Sequence, residues 1–405
     1  MSATETQTEA ESWVHYHDGG IPGRRRVLRG TGAKQTFNEL PKIDFQRIYS
    51  DKLEDRKELA KEVGAACRDV GFFYAVNHGV DEEMLNDTFD ALKRYFALPT
   101  EVKMETHNQK TAKFRGYEAF LEGKLDPSTR GDLKEGFLMG EDATDPEQNR
   151  PITPSTATPR NQWPTHPSAL FWRPALYRYY NAMYTFSKRM LHIFALALDL
   201  PESHFDAITT SPMTNVRAVH YPPQAPDSND VGIGAHTDFC WFTLVCQSPT
   251  TYPALEVLNA NGIWVPVEPA PNTFVVNVAD FLKLVTGGSW QSTVHRVRNV
   301  GGEERYSMPF FFSPNEDARV AVVESMRREG GVYEEFVVGE YFQRRLDIDR
   351  TTHLGGGRRA REEGWVLMML VDGGGGGGIE KGNAHDNARR YSLYHKNNFI
   401  KPLKL

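Results

Sequence analysis

Three side chains in this 405-residue chain stand in an order that could hold a metal ion. His236 and Asp238 lie in Gly234-Ala235-His236-Thr237-Asp238-Phe239, and His295 lies in Ser292-Thr293-Val294-His295-Arg296-Val297. Both segments read as strands. Side chains two apart on a strand share a face, so His236 and Asp238 are expected to point the same way. Two imidazoles and one carboxylate on adjacent strands cover one face of an octahedral metal and leave three positions open. That is the 2-His-1-carboxylate arrangement of oxygen-activating non-heme Fe(II). Ten residues past His295 comes Arg305-Tyr306-Ser307. A guanidinium fork and a hydroxyl on one strand face match a carboxylate, so Arg305 and Ser307 suit the far end of a dicarboxylic acid. Each element alone is commonplace: His-x-Asp pairs occupy turns and surfaces, and a lone Arg usually faces solvent. The conjunction, in this order and on strands, carries the information.

These residues need a β framework, and the chain supplies one beyond Pro212. Short apolar segments alternate with Pro, Gly and Asn turns: Val216–Tyr221, His236–Gln247, Leu255–Leu258, Trp264–Val267, Thr273–Val278, Ser292–Val297 and Tyr306–Phe312. The pattern predicts a barrel or a double-sheet jelly roll. The preceding half is helical in pattern. Lys52 to Val70 places Leu59, Val63, Ala66 and Val70 on one face, with Gly71 as the stop. Phe72–Val76 reads as a buried strand, and Asp81 as the cap of a helix with Leu85, Phe89, Leu92 and Phe96 inward. A long helix follows Pro174, its stripe running Leu176, Tyr180, Tyr184, Ser187, Leu191, Phe194 and Leu198.

Composition bounds the function. Hydrophobic residues are 40% and charged residues 25%, ordinary for a globular protein, and the net charge is −6. An acidic chain argues against nucleic-acid or anionic-membrane partners. Three cysteines, Cys67, Cys240 and Cys246, are too few for a disulfide framework. The N-terminus has no signal- or transit-peptide pattern, and no apolar run spans a bilayer, so the expectation is a cytoplasmic monomer. Residues 1–38, with Arg24-Arg25-Arg26, read as a flexible polar arm. Residues 39–354 read as one oxygenase domain, with a helical and strand part over 39–211 and the β core over 212–354. Residues 355–405 hold 11 of the 34 glycines, including Gly373–Gly378, and read as a disordered, dispensable tail in which Trp365–Val371 is the one apolar stretch.

From about Pro41 to Leu354 the sequence resembles the 2-oxoglutarate- and Fe(II)-dependent oxygenases of the isopenicillin N synthase-like family. The resemblance rests on Gly71-Phe72-Phe73-Tyr74-Ala75-Val76-Asn77-His78-Gly79, on Phe96-Ala97-Leu98-Pro99 with Glu101 and Lys103, and on Arg115-Gly116-Tyr117. Asn161-Gln162-Trp163-Pro164, Tyr221-Pro222-Pro223, Val275–Asp280 and Thr293–Val297 extend it. Pro253-Ala254, in place of a glycine pair, and Val219, in place of an asparagine, depart from plant members and look closer to microbial or fungal ones.

The resemblance implies a mainly β fold with α: a double-stranded β-helix, cupin-like core with an N-terminal helical region and a long supporting helix. It implies His236, Asp238 and His295 as ligands of Fe(2+). Arg305, Ser307 and Tyr221 would bind 2-oxoglutarate, and Arg217 would face the cosubstrate or substrate. Phe239, Phe311 and Phe137 are candidate walls of the substrate site. His78 and Asn77 match a motif whose role looks structural. The implied reaction consumes O2, with ascorbate as a candidate reductant. It releases succinate and CO2 and hydroxylates or desaturates a small molecule, an apolar or aromatic one by the aromatic walls, in specialised metabolism. Two alternatives belong with this reading: a ferrous oxidase of the same fold that needs no 2-oxoglutarate, and a catalytically silent binding protein.

Overall fold

The computed structural model describes residues 12–18, 21–111, 114–124, 129–142, 145, 160–225, 230–327, 329, 331 and 333–353. The chain opens with β1 (Trp13–Asp18) and β2 (Ile21–Arg26), then β3 (Lys42–Asp44), α1 (Leu53–Asp69), β4 (Phe72–Val76), α2 (Glu82–Phe96) and α3 (Thr100–Met104). Two further strands, β5 (Gly116–Glu118) and β6 (Glu135–Gly140), precede the long α4 (Trp172–Ala197). The β region comprises β7 (Pro212–Tyr221), β8 (Ile233–His236), β9 (Phe242–Gln247), β10 (Leu255–Leu258), β11 (Trp264–Pro266), β12 (Phe274–Val278), α5 (Asp280–Val285), β13 (His295–Val297) and β14 (Arg305–Asn315). It is followed by β15 (Arg319–Val320), β16 (Phe336–Val337) and α6 (Val338–His353). Among the described residues no helix is long and apolar enough to cross a membrane.

The strands form an eight-stranded sheet, β3-β4-β12-β9-β14-β7-β6-β5, and a six-stranded sheet, β11-β10-β13-β8-β1-β2. From β7 to β14 the chain passes repeatedly between the two, with β7, β9, β12 and β14 in the large sheet and β8, β10, β11 and β13 in the small one. That winding is the double-stranded β-helix. Helix α4 backs the large sheet. Tyr179 Oη donates to Met308 O at 2.6 Å, and Tyr180 and Thr214 hydroxyls bond at 2.6 Å, so the helix is fixed to β14 and β7 by polar contacts as well as packing. Because α1 and α2 pack on its other sides, α4 buries more than one stripe: Trp172, Tyr177, Tyr179, Met183 and Ile193 join the expected Leu176, Tyr180, Leu191 and Phe194. Each such side chain contributes roughly 1.5–3 kcal/mol of transfer energy.

The helix signals hold in detail. Asp81 accepts from Glu83 N at 3.1 Å and caps α2. Gly71, which ends α1, takes φ +76°, and a Cβ there would lie 2.2 Å from Gln291 O, so only glycine fits between helix and β core.

Two expectations need correction. The segment His236–Gln247 is not one strand: β8 ends at His236 and β9 starts at Phe242. Asp238 sits in the turn between, so its convergence with His236 comes from chain reversal and not from strand alternation. The second concerns the N-terminal arm. Within residues 1–38, Trp13–Asp18 and Ile21–Arg26 form an antiparallel hairpin, and β1 adds in parallel to β8 with His17 opposite His236. The hairpin is held from afar: Arg25 Nη1 donates to Leu258 O at 2.8 Å and Asn259 O at 2.7 Å. Few apolar residues mark it, but Gly19-Gly20 between two alternating segments is a hairpin signal in the sequence. The glycine-rich tail, 355–405, lies outside the described residues.

Candidate active site

The core gathers the metal-binding candidates from three places: the end of β8, the turn behind it and the start of β13. His236 and His295 are register partners across β8 and β13. Ligand atoms of His236, Asp238 and His295 all lie within 4.8 Å of one another. Asp238 Oδ1 is 3.5 Å from His236 Nε2 and 3.8 Å from His295 Nε2.

Every donor in this set is oriented by a second contact. His236 Nδ1 bonds Gly234 O at 2.7 Å, and His295 Nδ1 bonds Thr293 O at 3.1 Å. Both rings thereby turn Nε2 inward, the tautomer a metal needs. The other carboxylate oxygen, Asp238 Oδ2, accepts from Thr243 Oγ1 at 2.6 Å and Asn277 Nδ2 at 3.0 Å. Oδ1 is therefore the atom presented to the imidazoles. Burial opposes ionisation of Asp238, but the His236 hydrogen bond, the two imidazole charges and Thr243 outweigh it and hold its carboxyl well below the usual range. Burial, with His236 beside it, pushes His295 down to about 4, toward the neutral form that ligates. At His236 burial is outweighed by Asp238 and Gly234 O, which raise its pKa, so metal binding there would release a proton.

Beside the triad, on the inward face of the large sheet, lie the carboxylate-binding candidates. Arg305 and Ser307 are each 2% exposed, and Tyr221 is Arg305's register partner on β7. The Arg305 guanidinium lies 4.8 Å from the centroid of the Tyr221 ring and donates through Nη2 to Gln247 Oε1 at 3.0 Å. Its Nη1 is buried with no hydrogen-bond partner, and among the described residues it has no acid to pair with. A buried cation without a counter-charge is costly. A dicarboxylate would supply the acceptor this guanidinium lacks, and the three-ligand cluster suits a metal, so the donor set fits both Fe(II) and 2-oxoglutarate.

The remaining candidates divide. Arg217 shares the inward face of β7 with Tyr221 and stays one-third exposed. Phe311 is half-buried on the inward face of β14. Phe239, next to Asp238, packs edge-on against Phe342 of α6 at 5.2 Å. Phe137 does not line the site. It is 1% exposed and packs among Tyr95, Trp163 and Trp172, because strand alternation turns it to the helical side of the sheet. His78, as expected, is a turn residue: Nδ1 accepts from Val80 N at 3.1 Å and the ring stacks on Phe274 at 3.9 Å.

Sequence reading missed four supports. Thr243 and Asn277 orient Asp238. Gln247 orients Arg305 from the strand opposite Ser307. Asp280, just after β12, accepts from Thr237 and Ser292 and pairs with Arg345 of α6 at 2.7 Å, fastening that helix to the ligand-bearing turn. Asn277 and Asp280 lie in the Val275–Asp280 segment that carries part of the resemblance, without a role assigned there, and Thr243 and Gln247 had no signal beyond strand periodicity.

Comparison with known proteins agrees with this geometry. Residues 40–166 match the family model described as non-haem dioxygenase in morphine synthesis N-terminal, and residues 212–314 match the 2OG-Fe(II) oxygenase superfamily. A 2-oxoglutarate-Fe(II) type oxidoreductase, hxnY, of Emericella nidulans is 38% identical over 284 residues, covering 68% of this chain and 80% of the relative. Homoarginine-6-hydroxylase of Oryza sativa subsp. japonica is 33% identical, covering 75% and 93%. Among solved structures, a 2OG-Fe(II) oxygenase family protein from Caulobacter crescentus superposes with a TM-score of 0.66 at 27% identity, covering 77% of this chain and 99% of its own. A full-length Neurospora crassa protein in complex with alpha-KG shares the fold, with a TM-score of 0.66 at 23% identity over 78% and 98%. The chain thus belongs to the 2OG-Fe(II) oxygenase superfamily and is a 2-oxoglutarate- and Fe(II)-dependent dioxygenase.

Proposed function

We propose that this dioxygenase hydroxylates or desaturates a small molecule of specialised metabolism, with His236, Asp238 and His295 as the iron ligands and Arg305, Ser307 and Tyr221 as the seat of the 2-oxoglutarate C5 carboxylate. The metabolic setting rests on likeness to fungal enzymes named as 2-oxoglutarate-dependent dioxygenases, such as citB of Monascus ruber. The single observation behind the residue roles is the pairing of a closed three-ligand cluster with a buried, acid-free guanidinium on the same inward face.

Fe(II) with 2-oxoglutarate supplies the O2-dependent chemistry: oxidative decarboxylation to succinate and CO2, coupled to oxidation of a substrate C–H bond. The protein's own work is positional. Gly234 O and Thr293 O hold both imidazoles with Nε2 inward. Thr243 and Asn277 keep Asp238 from rotating. Gln247 fixes the plane of the Arg305 fork, which would hold one carboxylate of the cosubstrate by charge-assisted bonds. Phe239 and α6 wall the turn from water.

The test is direct. His236→Ala is expected to abolish Fe(II) binding in calorimetry and to reduce succinate formation below a few per cent of the native protein, with the melting curve retained. Substantial turnover by His236→Ala, or succinate not matched to 2-oxoglutarate consumed, would overturn the assignment.

A further inference from the structure

We infer that the substrate carries a carboxylate, and that Arg217 is the group that binds it. The inference rests on the site proposed above and names the class of molecule that site accepts.

The register places Arg217 first. Arg305 pairs with Tyr221, Ser307 with Val219 and Phe310 with Val216, an unbroken antiparallel run. Arg217 therefore has the same parity as Tyr221 and faces inward, two strand positions beyond Val219 on the side away from Arg305. It is a second guanidinium on the wall that holds the cosubstrate cation.

Its bonding is incomplete. Among the described residues Arg217 makes no hydrogen bond, and its one ion pair is to Glu118 Oε2 at 3.7 Å. Glu118 has a better partner: Lys134 Nζ donates to the same oxygen at 2.8 Å, and that lysine side chain is 2% exposed. Lys134 thus satisfies Glu118 and leaves the Arg217 fork available. The Arg217 side chain is 33% exposed on this inward face, its stem running past Gly136, where a Cβ would lie 3.5 Å from Glu118 Oε2 and 3.9 Å from Arg217 Cγ. A planar fork with five donors and no bonded acceptor suits a bidentate carboxylate.

The opposite wall has the same sign. Strands β7 and β8 are consecutive and lie one in each sheet, so β6-β5 and β1-β2 extend the two sheets from the same edge. His17 is the register partner of His236 and shares its face. By hairpin pairing, Trp13, His15, Pro22, Arg24 and Arg26 share that face too, and it contains no acid. Arg24 lies over the Trp13 ring at 4.4 Å, and both are exposed. The hairpin thus gives its side of the site a positive, partly aromatic character in a chain whose net charge is −6, while on the β6-β5 side Lys134 faces the acids Glu118 and Asp132. Such a hairpin face attracts small anions and orients them on approach.

The test uses the full chain loaded with Fe(II) and 2-oxoglutarate without oxygen, titrated by calorimetry with benzoate and phenylacetate and with their primary amides. The carboxylates are expected to bind saturably and at least tenfold tighter than the amides. Arg217→Gln should erase that preference while changing 2-oxoglutarate affinity less than twofold. Arg217→Lys, which keeps the charge and serves if the Gln variant folds poorly, should retain a weakened preference. Equal binding of acids and amides, no saturable carboxylate binding, or unchanged carboxylate binding by both variants would overturn the inference. So would loss of 2-oxoglutarate affinity in Arg217→Gln, which would make Arg217 a cosubstrate residue. Failure of the native protein to bind Fe(II) or 2-oxoglutarate would instead strike the site assignment beneath it.

Discussion

The two faces of the large sheet bury Arg305 of β14 and Glu135 of β6 to a similar depth and treat them in opposite ways. On the inward face, Arg305 bonds Gln247 and meets the Tyr221 side chain, with one nitrogen left without an acceptor and no acid among the described residues. On the outward face, one strand position away, Glu135 is saturated. It accepts from Lys103 at 2.7 Å, from Tyr117 at 2.6 Å and from His220 at 2.8 Å, and His220 also bonds Glu304. Lys103 completes its set on Phe96 O at 2.9 Å. Adjacent residues of one strand, His220 and Tyr221, belong to these two worlds. A closed network of charges is a structural device that joins α3, β5, β6 and β7. A cation left short of an acceptor is a place for a ligand, since the folded chain could otherwise have kept an apolar residue there.

That contrast breaks most visibly on the outward face. Glu135→Ala leaves Lys103 buried, 6% exposed, without its counter-charge. Breaking a buried pair from one side costs on the order of 3–5 kcal/mol. Chemical denaturation is expected to show that loss, with 2-oxoglutarate affinity of the folded fraction preserved. A Glu135→Ala protein of native stability would mean the cluster is not the structural device described.

The inward face should respond in the complementary way. Arg305→Lys keeps the charge and loses the fork. The 2-oxoglutarate KM should rise by the equivalent of about 1.5–3 kcal/mol, the worth of a charge-assisted bond, while stability changes little or improves. An unchanged KM with lowered stability would place Arg305 among the structural charges, and the distinction between the faces would fall.

How much of this the sequence disclosed follows the range of the interactions. His236, Asp238, His295, Arg305 and Ser307 were legible because residue type, order and strand context all agree, and α1, α2 and α4 because their stripes repeat within one helix. The turn between His236 and Asp238 was not. Apolar Phe239-Cys240-Trp241 continues the strand composition through a reversal, and its burial under α6 and α5 is a tertiary fact. Phe137 was misplaced because a pocket wall and a core position look alike in composition. Gln247, Asn277 and the Arg345–Asp280 pair act across 58, 39 and 65 residues of sequence, beyond any local period. The β1-β2 hairpin likewise draws its stability from β8 and from the Leu258 and Asn259 carbonyls.

The smallest expected effect sharpens the outward cluster by its pH dependence. Burial works against protonating His220, but its bonds to Glu135 and Glu304 outweigh that, and its pKa is raised above the ordinary value of 6.5. A histidine held protonated in the fold binds more protons folded than unfolded near neutrality. Its stabilisation is therefore complete below pH 6.5 and is lost as pH rises through the folded value. Glu135 works at the other end. Burial again opposes its charge, yet bonds from His220, Lys103 and Tyr117 lower its pKa below 4.5. Its contribution is present above pH 4.5 and is lost as pH falls through the lowered value. The titratable groups facing His220 are Glu135, Glu304 and the stacked Tyr306 ring at 4.9 Å, beside the Phe96 and Phe120 rings. His220→Gln should then melt below the native protein at pH 6, and the gap should narrow steadily toward pH 9 without any change in 2-oxoglutarate affinity. The effect is modest because Glu304 is half exposed and water screens its share. A gap that widens with pH, or that is flat from pH 6 to pH 9, would show that His220 sits neutral between its two acids and that the outward network is closed by hydrogen bonds alone.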